Sequence, residues 1–172
     1  MSDGSLATLM EDWICTQIRA IKVGDDNVFA ATDVEPWSGT YAENVQAFAE
    51  ELFTGQRNLV CRVFYDGDRV VPLEEGEIKV IPRFRILVGM KNRRPQEARR
   101  GDGTLVGTNR IRNLLQYALS DDRPDDGEGK PINDGTNAVE RVTFTGSQVL
   151  VNQQGLCIQQ TTIEIEEVLL AT

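Results

Sequence analysis

From position 77 to 89 apolar and basic residues alternate: Ile78, Val80, Pro82, Phe84, Ile86 and Val88 share one parity, and Lys79, Arg83 and Arg85 the other. Successive side chains of an extended strand point to opposite faces, so the pattern predicts a half-buried β-strand with a basic outer face. Pro82 has no N–H to give to a ladder, which assigns it to an edge strand or a bulge. A sheet with an apolar face needs a cover, and the rest of the chain supplies helices.

Ser5 precedes Leu6, Leu9, Met10, Trp13, Ile14, Ile18 and Ile21, spaced by threes and fours as on one face of a helix, with Asp3 or Ser5 placed to cap it. Tyr41, Val45, Phe48, Leu52 and Phe53 make a second stripe, predicting a helix over 40–54 that Gly55 ends. A third helix over 104–119 turns Ile111, Leu114, Leu115, Ala118 and Leu119 inward. The segments 28–31, 59–65, 139–145, 148–152 and 156–169 read as strands, with turn signals at Asp66-Gly67 and at Gln153-Gln154-Gly155. This order predicts an α+β fold: one domain over 1–172, with a mainly antiparallel sheet and about three helices packed on one face. At 172 residues, 40% apolar and 26% charged, the chain has the size and composition to bury a core.

The chain contains no histidine. The commonest general base, nucleophile activator and metal ligand are thereby missing, which excludes Ser-His-Asp and Cys-His hydrolases and His-built zinc sites. Cys15, Cys61 and Cys157 are too scattered for a Cys-only metal site or a disulfide framework, and read as small core hydrophobes. The residues 101–107 lack the Gly-Lys-Ser/Thr ending of a phosphate loop. No pair of carboxylates stands out for acid–base work. The expectation is a protein that is not an enzyme and takes no cofactor and no metal. No run reaches the roughly 20 apolar residues of a membrane span, and Met1-Ser2-Asp3-Gly4 lacks the layout of a secretion signal, so a soluble, intracellular protein is expected.

Charge is sorted along the chain. Against a net charge of -9, Arg83, Arg85, Lys91, Arg93, Arg94, Arg99 and Arg100 form a basic block with Glu97 its only acid. One reading is a solvated strand kept soluble by charge. The other is a docking surface for an acidic partner, with Arg83, Arg85, Arg93, Arg94, Arg99 and Arg100 as the interface, since arginine makes paired bonds to carboxylates. Asp121, Asp122, Asp125, Asp126 and Glu128 lie in a stretch, 121–138, with the Pro, Gly and Asp content of a mobile acidic loop. Their order does not match an EF-hand, so a solvated loop, open to a partner, is preferred to a calcium site. A basic face meeting the acidic loop of another copy would be a head-to-tail contact, which closes into a ring or runs on as a filament.

Three segments, LATLMEDWICTQIRAI from Leu6, RFRILVGMKNRR from Arg83 and EARRGDGTLVGTNRIRNLLQYAL from Glu97, followed by a closing β segment, resemble the Mu-like bacteriophage tail terminator family. The strongest match runs from Arg83 to Leu119; the long acidic insertion after Ser120 departs from the pattern. The resemblance implies a structural virion protein: a small α+β subunit forming a hexameric ring on the head-proximal end of the tail tube, assembled in the host cytoplasm. Its partners would be copies of itself, the tail tube protein, the neck or connector proteins and, in a contractile tail, the sheath. DNA would pass through the ring without specific binding, and the acidic loop could line that channel. A head–tail adaptor, a tail-tube subunit and a non-phage protein-binding domain are the alternatives.

Overall fold

Ser5 opens the first helix in the computed structural model, which describes residues 5–37, 41–92, 100–101, 106–120, 124–153 and 155–169. Its Oγ accepts the Thr8 N–H at 3.4 Å, and helix α1 (Leu6–Arg19) buries Leu6, Met10, Trp13, Ile14 and Ile18, the stripe read from the sequence. Helix α2 (Tyr41–Thr54) buries Phe48 and Leu52. Helix α3 (Thr108–Leu119) buries Ile111, Leu115 and Leu119; it starts later than 104 because Gly107 is extended and serves as its N-cap.

The strands are β1 (Lys22–Val23), β2 (Asp26–Asn27), β3 (Val34–Pro36), β4 (Leu59–Pro72), β5 (Ile78–Lys91), β6 (Asn137–Gln153) and β7 (Leu156–Leu169). The first two form a small hairpin, and the others a sheet of order β3-β4-β5-β7-β6, antiparallel except for the β3–β4 pair. This is the α+β fold with a mainly antiparallel sheet. Several local expectations need correction. The segment 28–31 is no strand; the extended piece is β3, held parallel to β4. Asp66-Gly67 does not turn the chain. It lies inside β4 where the register shifts between Tyr65 and Asp68, with Gly67 at φ 81°, and the reversal comes at Glu74–Gly76. The two strands expected over 139–152 are one strand, β6, bent by three register shifts. Gly155, at φ 77°, does lie in the β6–β7 turn.

Strand β5 is an inner strand, between β4 and β7. Pro82 is accommodated at the opened register of β4, where it faces Asp68, and β7 pairs with β5 only from Arg83 onward. Beyond that point the alternation gives way to Ile86, Leu87, Val88, Gly89 and Met90, all buried. A run apolar on both parities demands cover on both faces of the sheet. Phe84, Ile86, Val88 and Met90 join the core under α1 and α3, whereas Leu87 packs with Phe48 and Leu52 of α2. The helices therefore do not share one face: α1 and α3 cover one side, and α2 the other.

Residues 68–72 and 78–82 extend past this double cover as a two-stranded arm. Among the described residues its outer edges have no strand partner, because β3 meets β4 only at Cys61, Arg62 and Val63 and β7 meets β5 only from Arg83 onward. Ile78 and Val80, expected in the core by parity, are instead 63% and 44% exposed because the helices end short of them. Among the described residues no helix is long and apolar enough to cross a membrane.

Candidate functional site

The basic parity of β5 emerges on the α2 side of the sheet, beyond the end of α2. There Asp66, displaced by the β4 bulge, receives two guanidinium groups: Arg83 Nε at 3.0 Å and Arg85 Nε at 2.6 Å. Arg85 also donates to Gln160 at 3.1 Å. Arg69 of β4 makes a fork-like pair with Glu164 of β7, at 2.7 and 2.6 Å, and Lys79 reaches Glu166 at 2.9 Å. Arg141 of β6 lies 3.8 Å from the same Glu166, whose pKa is lowered chiefly by the hydrogen bond from Lys79. Four strands thus contribute to one band of alternating charge. It borders a shallow polar groove of about 440 Å³ lined by Thr145, Ser147, Gln148, Gln160 and Thr162 among others.

This geometry alters the meaning of the basic block. Arg83 and Arg85 come together as expected, and both lie against Asp66, whose single carboxylate offsets only part of their charge and anchors them at the root of the arm. Lys91 is also engaged internally: its Nζ donates to the Phe53 and Gly55 carbonyls at the end of α2, where a cation suits the helix dipole. Arg100 is exposed ahead of α3. Arg93, Arg94 and Arg99 lie outside the described residues.

Residues 124–138, the described part of the stretch read as a mobile acidic loop, make local bridges and turns. Asp125 pairs with Pro131 and Asn133 with Ala138 as isolated bridges, and Ile132 is buried in the α1 core. The acids are used locally. Asp125 accepts the Gly127 N–H at 2.7 Å, Asp126 accepts those of Glu128 and Lys130 at 2.8 and 3.2 Å, and Glu128 pairs with Lys130. The backbone bonds hold the Asp126 carboxyl below its usual pKa. A cavity of about 560 Å³ separates this loop from Asp12, Trp13 and Thr16 of α1. Asp121 and Asp122 lie outside the described residues. The loop that carries the described acidic side chains thus lies on the α1 side of the sheet, where Ile132 anchors it, while Arg83 and Arg85 open on the α2 side.

Two features were not read from the sequence. Arg62, only 4% exposed, is a clasp: it donates to the Asp33 carbonyl at 3.1 Å and the Cys61 carbonyl at 2.9 Å, pairs with Glu51 of α2 and with Glu35 of β3, and lies over the Trp37 ring. A cation within an otherwise apolar strand run, LVCRVF, was the available signal. The second is a cleft of about 180 Å³ at the root of the arm, where β5 and β7 part below Pro82. Met10, Tyr65, Val80, Pro82 and Phe84 wall it, and Asp68 and Glu167 sit at its rim. Burial raises the Glu167 pKa, with Asp68 and Asp134 adding to the effect. Burial and the hydrogen bond to Asp68 push the Tyr65 hydroxyl up to about 12.

The three thiols are free and buried, as the sequence implied. Burial pushes Cys15 up to about 12 and raises Cys61 further, which keeps both protonated and inert near neutral pH. No protein-family model matches the chain, and comparison with curated proteins returns no match.

Proposed function

We propose that the chain is a structural subunit that closes into a ring, acting as a tail terminator: it caps the head-proximal end of a phage tail tube and joins it to the neck. The carrying observation is the arm of β4 and β5. A two-stranded hairpin is marginal by itself, yet this one is stiffened on one face by ion pairs from Arg69 and Lys79 and left apolar and uncovered on the other. An apolar surface held out in this way is built to meet another protein. The fold class and the order of elements suit the tail-terminator resemblance. The placement of the charges, committed to one another and to backbone groups, suits a scaffold better than a reaction site.

Electron microscopy of the purified protein, alone and mixed with tail tubes, tests the reading. Rings of fixed size at one end of each tube are the expected result. Open stacks of rings would make the chain a tube subunit instead, and a monomer without affinity for tubes would overturn the assembly role.

A further inference from the structure

The arm presents one apolar strip. Val70 faces Val80 and Pro72 faces Ile78 in register, Leu73 continues the strip into the turn, and Val70 and Ile78 are 56% and 63% exposed. By parity this is the side of the sheet that α1 and α3 cover further along. At the root of the strip lies the cleft between Val80, Pro82 and Tyr65. Its surroundings are acidic: Asp68 and Glu167 at the rim, and Glu74 and Glu77 at the exposed tip. The arm's own cations, Arg69 and Lys79, are paired on the opposite face.

Complementary groups stand at the other end of the same face. Helix α3 begins beside Cys157, which Thr108 contacts at 3.4 Å, and Cys157 is in register with Met90. Ile78 and Met90 are the two ends of β5, about 40 Å apart at roughly 3.3 Å per residue. With Ile111, Leu115 and Leu119 turned inward, α3 directs Arg110, Asn113 and Tyr117 outward, at spacings of three and four that form one stripe. Tyr117 is 90% exposed, and among the described residues Arg110 has no ion pair.

We propose that α3 of one copy docks on the apolar strip of the arm of the next copy, with Tyr117 seated at the cleft and Arg110 against its acidic rim. The proposal rests on the ring reading and names the contact that would build the ring. An exposed tyrosine and an arginine are the residue types that anchor interfaces, and a cleft that mixes apolar walls (Met10, Val80, Pro82, Phe84) with the acids Asp68 and Glu167 matches both. A second copy is the occupant because the chain's own α3 lies at the far end of β5 with its apolar side already buried. The two surfaces do not overlap, so the contact is head-to-tail and repeats until the rotation closes.

Cross-linking tests it, since the native thiols are buried. Full-length Ile78→Cys and Asn113→Cys are treated, singly and mixed, with a short bis-maleimide, and the double variant in parallel. The mixture should give covalent dimers that neither single variant gives alone, and the double variant a ladder. Tyr117→Ala should weaken association by about tenfold or more in sedimentation without lowering the thermal midpoint. An assembly of ring mass that gives no mixed cross-link would overturn this contact and leave the ring standing. Cross-links of Ile78→Cys with itself would also overturn it, by showing two arms face to face. A monomer at every concentration would overturn both.

Discussion

Gly89 of β5 lies directly beneath Leu52 of α2: a Cβ at position 89 would stand 2.0 Å from Leu52 Cδ1 and 2.8 Å from Phe48 Cε1. The absent side chain is what lets α2 seat on the sheet. Gly89→Ala should therefore cost about 1–3 kcal/mol through overpacking. Gly146→Ala in β6, where a Cβ meets open space, should change stability by less than about 0.5 kcal/mol. Urea unfolding of the two variants checks this, and equal effects would contradict the close approach.

Arg62 joins β4 to the β3 segment and to α2, so its loss should loosen three elements. Arg62→Met keeps the apolar stem and removes the bonds to two carbonyls and to Glu51, for an expected loss of about 2 kcal/mol. Glu51→Gln retains an acceptor and should cost less, about 1 kcal/mol, because Glu35 and the carbonyls still hold the guanidinium. Chemical denaturation should rank the pair in that order.

Asp66 serves two cations, and removing its charge leaves Arg83 and Arg85 facing each other. Asp66→Asn should destabilise by about 1–2 kcal/mol, less than for a fully buried pair because Arg83 is partly solvated. Adding Arg83→Gln to that variant should restore part of the loss, although Arg83→Gln alone is destabilising. A double-mutant cycle from thermal unfolding reads the sign directly.

The carboxyls split into two groups with opposite consequences for pH. Burial raises Glu11 and Glu167 in the fold, Asp12 adding to the first and Asp68 to the second, although the Tyr65 N–H opposes the shift at Glu11. The folded state thus binds their protons more tightly than the unfolded state. Stability from these two is absent well above the raised values and gained as pH falls through them toward the ordinary glutamate pKa of 4.5. Asp126, Asp134 and Glu166 are lowered, the first two by backbone N–H groups and the third by Lys79, so their contribution disappears as pH falls below the ordinary carboxylate range. The thermal midpoint should rise on mild acidification and then drop. Glu167→Gln should flatten the rise, and an unchanged rise in that variant would contradict the assignment.

The legible parts of the fold were those governed by one period at a time. The α1 stripe and the α2 limits follow from threes and fours, and β7 follows from its twos. What misled was context. Asp66-Gly67 has the chemistry of a hairpin turn, but β4 continues through it because Arg83 and Arg85 draw Asp66 back onto the sheet. Ile78 and Val80 carry core parity and lie outside the core, since parity assigns a face and says nothing of where the covering helix stops. Likewise the sorting of charge was visible in sequence. Its satisfaction was not: the partners of Arg69, Arg83 and Lys79 are 95, 17 and 87 residues away along the chain.

The central position of β5 also carries a consequence for how the protein is made. Its first neighbour, β4, precedes it closely, but its second, β7, follows only after α3 and β6. From the time β5 leaves the ribosome until Leu156 and the residues after it follow, the edge from Arg83 to Lys91 has no partner. An open, largely apolar edge is a template for wrong pairing, and closing it requires joining residues far apart in sequence, a slow step. Chains terminated within β6 would keep that edge open permanently. Residues 156–164, the first part of β7, are therefore what covers this edge of β5.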